Sequence, residues 1–379
     1  MATEINLTME PSYASTWSVV DAVREFFQNA LDNEIVNPEN KMLFSYDKEA
    51  KKLLIGNKTS CLERHTLLLG STTKAGDENT IGQHGEGYKI GIAILLRNNK
   101  HVTIYNYQKK EIWTTRLKKS KTFDGRLIPC ITITKTPIWE KVPSHDLMIE
   151  ISEINEEEYE QIKESNLHLK SYNSISTLYG EILTDESEKQ RIYVKGLYVC
   201  NCDGLNFGYN FEPDQISLDR DRKLIREYDL YAKTSAIWKK VYALKALGEY
   251  KQAFFDMLNN RADELRDIYY TVVSTEDMDN KDIENKLGSE LVERFIDENG
   301  ENSTPVTTSD QIEEAHSNGL KAVLVSDSVY RLMKDCDKVS EVIVEKAPLK
   351  VRMTEFMSKI ESKLTDEELA EFSSLIDEI

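Results

Sequence analysis

The chain is poor in cysteine, and its cysteines do not gather. Among 379 residues there are five, Cys61, Cys130, Cys200, Cys202 and Cys336. Only Cys200 and Cys202 are close, and C-x-C without a partner pair is not a zinc spacing. Six scattered histidines add no cluster. Reduced thiols and no structural metal are the expectation. Long apolar runs are missing too: nothing approaches the ~18–20 residues that would span a bilayer. The opening MATEINLTMEPSY has neither the basic and apolar regions of a signal peptide nor the arginines of a transit peptide, so a cytoplasmic location follows by default. Basic charge is scarce. Forty-eight Lys and Arg stand against 66 Asp and Glu, a net charge of −18, which disfavours bulk affinity for nucleic acid or an anionic membrane. Internal repeats and long low-complexity tracts are absent.

What is present is the composition of a soluble globular protein, 40% hydrophobic and 30% charged, long enough for two or three domains. Two stretches stand out. Arg24 to Asp32 reads REFFQNALD. Glu25, Asn29 and Asp32 recur at i, i+4 and i+7, which puts them on one helical face about 60° wide. Val20, Val23, Phe27, Ala30 and Leu31 make an opposing apolar face suited to a core. Two carboxylates and an amide in a row can activate water and hold a hard cation. Ile81 to Gly91 reads IGQHGEGYKIG. Gly82, Gly85 and Gly87 allow backbone N–H groups to approach an anion, and the apolar run Ile90 to Leu96 starts a helix whose N-terminus faces it. Taken singly, the first stretch reads as a solvated helix face and the second as a turn or helix entry.

Together, in this order, they resemble the N box and the G2 box of the GHKL ATPases: gyrase, the ninety-kilodalton heat-shock chaperones, histidine kinases and MutL. The resemblance covers roughly residues 10–155 and runs more weakly to about residue 228. It implies an α+β fold, a Bergerat-type sandwich with a mixed, mainly antiparallel sheet and helices on one face. It implies ATP and Mg2+ as cofactors, with Glu25 as general base and Asn29 as the Mg2+ ligand. Asp32 would sit near the nucleotide or hold the Asn29 side of the helix. Gly82, Gly85 and Gly87, with His84, Glu86 and Tyr88 among them, would cradle the phosphates, with His84 in a packing role. Lys89 either neutralises phosphate or points to solvent. Gly70 to Thr80 would be the lid, with Lys74 closing on a phosphate. In Ile216-Ser-Leu-Asp-Arg-Asp-Arg-Lys223, Arg220 aligns best with the arginine that senses the γ-phosphate, with Arg222 and Lys223 behind it; otherwise this run is a charged helix start.

Two departures touch the base pocket. The family's D-x-G-x-G has no Asp here; Gly56 or Asn57 takes its place. Asn57 can accept from an adenine amino group or donate to a guanine carbonyl. Ser144-His145-Asp146-Leu147 stands where the family has H-G-T.

In chain order, residues 1–155 are expected to be the nucleotide-binding domain, opened by a short strand or arm. A hairpin is expected at 42–46 and 52–55, a short helix at 62–69, and strands at 101–107, 111–117, 131–135 and 147–151. Residues 156–228 would be a transducer-like α/β domain around a strand, 191–199, broken at Gly196. Residues 229–298 read as helical, and 298–305 as a turn or linker. Residues 299–379 form a small α/β unit and C-terminal helices, the last capped by Thr365 with Glu368. One basic strip, Lys109, Lys110, Arg116, Lys118, Lys119, Lys121 and Arg126, reads as a solvated hairpin or as a phosphate-contacting surface.

The functional expectation is an ATP-binding, slowly hydrolysing conformational switch. It would form a homodimer on ATP and act on an unknown protein client or, on the strength of the strip alone, a nucleic acid; no membrane partner is expected. The alternative is a nucleotide-binding regulatory module with little turnover and altered base specificity. A histidine kinase would need a phosphoacceptor histidine on an upstream helix, and a topoisomerase subunit a cleavage domain; the sequence shows neither.

Overall fold

The computed structural model describes residues 2–67, 87–135, 146–218, 227–343, 349–360 and 364–377. The chain divides into two compact units, Met1–Ile237 and Trp238–Ile379. The architecture is α+β with a large antiparallel sheet, the class expected from the resemblance. Among the described residues no helix is long and apolar enough to cross a membrane.

The first unit opens with β1 (Ala2–Asn6) and α1 (Val19–Val36). Ser18 caps α1: its hydroxyl accepts from the Asp21 amide, and the Asp21 carboxylate accepts from the Ser18 amide at 2.8 Å, a closed capping box. β2 (Met42–Asp47) and β3 (Lys52–Asn57) form the expected hairpin, and within 62–67, the described part of the helix expected at 62–69, lies a 3-10 turn, Arg64–Leu67. After α2 (Gly87–Arg97) come β4 (His101–Asn106), β5 (Glu111–Lys119), β6 (Leu127–Lys135) and β7 (Leu147–Ser152). The sheet order is β1-β6-β5-β4-β7-β3-β2. Every pairing in it is antiparallel, so the mixed sheet expected here is purely antiparallel.

One face of this sheet is covered. Leu53, Ile55, Val102, Ile104, Trp113, Ile133 and Ile149 alternate inward and share a core with Ala22, Val23, Phe26, Ile92 and Leu95 of the two helices. The opposite face carries Thr103, Thr114 and Thr132 in register. α3 (Glu156–Glu164) closes the core with Ile162, and its Tyr159 stacks on Tyr46 at 4.1 Å.

A second sheet follows in the same unit: β8 (Ser174–Thr177), β9 (Gly180–Leu183), β10 (Arg191–Val194), β11 (Leu197–Asn201) and β12 (Gly208–Phe211). Its order is β11-β10-β12-β9-β8, with β10 and β12 parallel. The break at Gly196 is a hairpin turn: Lys195 and Gly196 take φ of 51° and 76°, the left-handed pair that a two-residue connection requires. α4 (Glu227–Ala243) begins in this unit, where Ile237 meets Gly180 and Phe211 of the sheet.

The second unit contains the end of α4, α5 (Lys251–Asn259), α6 (Asn280–Asn299), β13 (Ser303–Val306), α7 (Ser309–Ser317), β14 (Lys321–Leu324), α8 (Asp327–Lys334), α9 (Leu349–Ile360) and α10 (Asp366–Asp377). β13 and β14 pair in parallel around α7, a compact βαβ step. The turn or linker expected at 298–305 thus holds a buried strand. α6 and α8 cross tightly at Gly288, where a side chain would run into the Leu332 carbonyl and Cys336 Cβ. Lys239, fully buried on α4, donates to Glu284 Oε1 at 2.7 Å and to the Thr271 carbonyl at 2.6 Å. The Thr365–Glu368 capping box is present at the start of α10.

Candidate functional site

α1 meets α2 because two glycines of the second helix leave room for it. A Cβ on Gly91 would sit 2.9 Å from Phe26 Cε2 and 3.2 Å from the Ala22 carbonyl. A Cβ on Gly87 would sit 3.0 Å from Glu25 Cδ and overlap Oε2. The Glu25 carboxylate therefore lies directly on the first residue of α2. Tyr88 adds an edge-on contact to Phe26, ring centroids 4.8 Å apart. Glu25 and Phe26 of the first stretch and Gly87, Tyr88 and Gly91 of the second, about sixty residues apart in the chain, meet at this junction.

The polar row on α1 is not a solvated face. Glu25 is 3% exposed and Asp32 fully buried, while Asn29 is half-buried. Of the residues expected on the apolar face, Val23, Phe27 and Ala30 are buried, but Val20 and Leu31 are only half-buried. The buried arc is instead shared by Val19, Ala22 and Phe26 and swings toward the polar row, because α2 packs on that flank. The Asn29 amide nitrogen donates to the Glu25 carbonyl at 2.8 Å, which turns Oδ1 away from the backbone. Asp32 has a partner inside the chain. Lys89 is 1% exposed, so the alternative that points it to solvent is ruled out.

Three buried polar atoms have no hydrogen-bond partner among the described residues: Gln28 Oε1, Tyr88 Oη and Asn106 Oδ1. Gln28 completes the row at i+3 from Glu25, a position within the same helical stripe that the sequence reading passed over. Burial pushes the Tyr88 phenol far above its ordinary pKa. A buried polar atom without a partner is costly, and two of these three stand on the helices that meet at Glu25.

Asn57 and the described residues of the second departure, Asp146 and Leu147, lie together at one end of the sheet. Asn57 of β3 and Asn106 of β4 both pair in register with Leu147 of β7. The Asp146 amide donates to the Asn57 carbonyl at 3.1 Å and to the Lys58 carbonyl at 2.9 Å. Both Asn57 amide hydrogens are engaged internally, with the Ala30 and Asn40 carbonyls, each at 2.9 Å. Asn106 donates to the Leu62 carbonyl at 2.7 Å. It was not among the expected residues, since a lone Asn at a strand end carries no signal in the sequence.

Arg24 ties this region to the second sheet. Its guanidinium lies 3.2 Å from Asp21, 3.9 Å from Glu25 and 3.3 Å from the Tyr198 carbonyl, and sits over the Trp17 ring. Four of the seven cations of the basic strip meet three carboxylates. Arg116 and Lys118 pair with Glu4, Arg126 with Glu10, and Lys109 with Glu63. Lys74, Gly82, His84, Gly85, Glu86, Ser144, His145, Arg220, Arg222 and Lys223 lie outside the described residues. Among the described residues no group of three His, Cys, Asp or Glu side chains is placed to hold a metal ion.

A family model described as the Mycoplasma pneumoniae MPN635 N-terminal domain matches residues 157–242. An uncharacterized protein of Mycoplasma pneumoniae (strain ATCC 29342 / M129 / Subtype 1) is 26% identical over 223 residues, covering 56% of this chain and 88% of its own. Among solved structures, the chain is similar to the ATPase region of Saccharomyces cerevisiae topoisomerase II, at 12% identity and a TM-score of 0.29. The same region bound to ICRF-187 (dexrazoxane) gives 11% and 0.29. Each of these two covers 48% of this chain, and the chain spans 62% of theirs. Likenesses that shallow say nothing of what this chain binds.

Proposed function

We propose that the first unit is a GHKL-type nucleotide-binding module that hydrolyses ATP slowly and serves as a conformational switch. One observation carries the reading: the buried Glu25 carboxylate is seated on the N-terminal residue of α2, in the glycine-rich stretch. The Arg24 guanidinium, 3.9 Å away, helps hold this carboxylate charged at its buried position. A helix N-terminus is where a phosphate is held by backbone N–H groups.

Glu25 would orient and deprotonate a water for attack on the terminal phosphate. The donor set fits magnesium, which keeps several waters and takes one or two protein oxygens. Asn29 Oδ1, freed by the bond from its own amide to the Glu25 carbonyl, would hold it. Bound there, the ion would neutralise charge on the phosphates. Asp32, fully buried, would fix the helix rather than touch ligand. Asn57 can offer a base only its oxygen, which favours the adenine amino group over the guanine carbonyl. Lys74 and Arg220 would act on the phosphates, as the resemblance implies. Dimerisation on nucleotide and a protein client complete the proposal. A nucleic acid client rests on a strip of which Glu4 and Glu10 already engage three of seven cations.

The test is calorimetric titration of wild type and Glu25→Ala with Mg-ATP and Mg-GTP, with phosphate release followed in parallel. ATP binding to both proteins, with release by wild type alone, is the expected result. Binding without release by either leaves a regulatory module. No binding by either nucleotide overturns the reading. Sedimentation with and without a nonhydrolysable nucleotide tests the dimer, and a monomer in both conditions rejects it.

A further inference from the structure

A cleft of about 500 Å3 lies apart from the α1–α2 junction, within the first unit. Its walls are the first turn of α1, the C-terminal end of α3 and the rim of the second sheet, with Gln161, Ser187, Lys189, Arg191, Tyr198 and Asn201 facing in. The size is within the ~300–1,000 Å3 of small-molecule sites.

The charged side chains in the lining are two cations, Lys189 and Arg191, and one carboxylate. Asp21 is the one carboxylate in the lining, and it is consumed locally: it accepts from the Ser18 amide and hydroxyl, both at 2.8 Å, and faces Arg24 at 3.2 Å. Lys189 has only Glu186, 3.7 Å away and 90% exposed. Arg191 is clamped. Its guanidinium lies 4.9 Å from the Tyr198 ring centroid and 5.4 Å from that of Tyr193, and donates to the Glu164 carbonyl at 3.0 Å. Glu164 and Glu188 form ion pairs with it at 3.8 Å, sharing its charge but too long to take its N–H donors as hydrogen bonds. A rigid guanidinium with unused donors beside a lysine is a grip for an oxyanion.

The remaining lining reads hydroxyl groups. Asn201 Oδ1 accepts from the Tyr198 hydroxyl at 3.1 Å, which leaves its amide hydrogens directed elsewhere. The Gln161 and Ser187 side chains make no hydrogen bond among the described residues. These are neutral donors and acceptors set around two cations, with a tyrosine at the base.

We propose that this cleft binds a small oxyanion with a hydroxylated body, of the sugar-phosphate class, with Lys189 and Arg191 on the phosphate and Gln161, Ser187 and Asn201 on the hydroxyls. The site stands independently of the nucleotide reading. It is nevertheless wired to the same helix, since Arg24 touches the Tyr198 carbonyl on one side and Glu25 on the other.

The test uses the full chain and ribose 5-phosphate, followed by calorimetry and by NMR shifts of the amides around Lys189 and Tyr198. Binding with a dissociation constant below about 1 mM is expected, modest because the cleft is open to solvent. Lys189→Glu, at a half-exposed position, should weaken it about tenfold or more by replacing a phosphate partner with a repelling charge. Inorganic phosphate should bind several-fold more weakly than ribose 5-phosphate, and saturating Mg-ATP should displace neither. No shifts up to about 10 mM, where even a 4 kcal/mol interaction saturates, overturn the site. Equal affinity of Lys189→Glu and wild type places binding elsewhere and overturns it too. Equal affinity for the two ligands overturns the hydroxylated body.

Discussion

On the proposed ATPase reading, replacing Gly87 by alanine should damage the chemistry far more than the fold. The new Cβ would stand 3.0 Å from Glu25 Cδ and overlap Oε2. The obstacle is the tip of a flexible side chain, so the carboxylate can swing aside without parting the helices. An off-rotamer Glu25 costs about 0.5–1.5 kcal/mol, and alanine offsets up to about 1 kcal/mol of that as the better helix former. Stability should therefore stay within about 1 kcal/mol of wild type. The carboxylate moves on the order of 1 Å, and a misplacement of that size costs about 100-fold in rate. Gly91→Ala is the control. Its Cβ meets Phe26 Cε2 and the Ala22 carbonyl, both rigid and in fully buried residues, so it should cost about 1–3 kcal/mol while leaving Glu25 in place. Urea unfolding reads the first quantity and Mg-ATP phosphate release the second. If Gly87→Ala releases phosphate within about threefold of wild type, well short of the loss expected for a misplaced base, the seating of Glu25 on α2 has no bearing on catalysis.

Three further outcomes are expected. Asn57→Asp should destabilise the first unit by about 2–4 kcal/mol in urea unfolding, since it sets a carboxylate against the Ala30 and Asn40 carbonyls and loses both bonds; a neutral or stabilising effect would refute this. Glu284→Leu should cost about 3 kcal/mol by leaving the Lys239 ammonium buried, whereas Lys239→Met with Glu284→Leu should recover most of it. Burial pulls the Lys239 pKa below its ordinary 10.5 against the pull of Glu284, so the folded state binds fewer protons than the unfolded one. This residue's contribution must rise with pH up to 10.5, and Lys239→Met should abolish that slope. The Lys118 bond, against a smaller opposing effect of burial and with help from Arg116, holds the Glu4 carboxyl below its ordinary value; Arg126 does the same for Glu10. A lowered carboxyl stabilises above its unfolded pKa and loses that as pH falls through the folded one. Amide exchange in β1, corrected for intrinsic rate, should accelerate on acidification below about pH 4.5, and Arg116→Ala with Lys118→Ala should flatten the response.

Local chemistry was legible wherever it was decided locally. Thr365 with Glu368, the hairpin of residues 42–57 and the strands of the large sheet follow from capping and alternation, and all are present. The break at Gly196 was visible, though not that it turns one strand into two. What tertiary packing decides was not legible. Period alone placed Glu25, Asn29 and Asp32 on one face, but only α2 makes that face a buried one. Gln28 escaped because a glutamine in a polar row reads as solvated. β13 escaped because Ser303-Thr304-Pro305-Val306 looks like a turn, and it becomes a strand only when β14 arrives to pair with it. Glu4 and Glu10 sit more than a hundred residues from the cations they neutralise.

The position of β7 bears on how the protein is made. In the large sheet it lies between β4 and β3, yet it is the last of the seven strands in the chain. During synthesis the β2–β3 hairpin and the β4–β5–β6 meander can each form as they leave the ribosome, but no strand bridges them until residues 147–152 emerge. Until then β3 and β4 each present an open hydrogen-bonding edge, the template on which chains add to one another. β1, the first strand made, waits for β6 in the same way. Completion of the sheet is a late, long-range event of the kind that slows folding. A nascent chain halted before β7 would be two half-sheets with sticky edges, more in need of a chaperone than the finished protein.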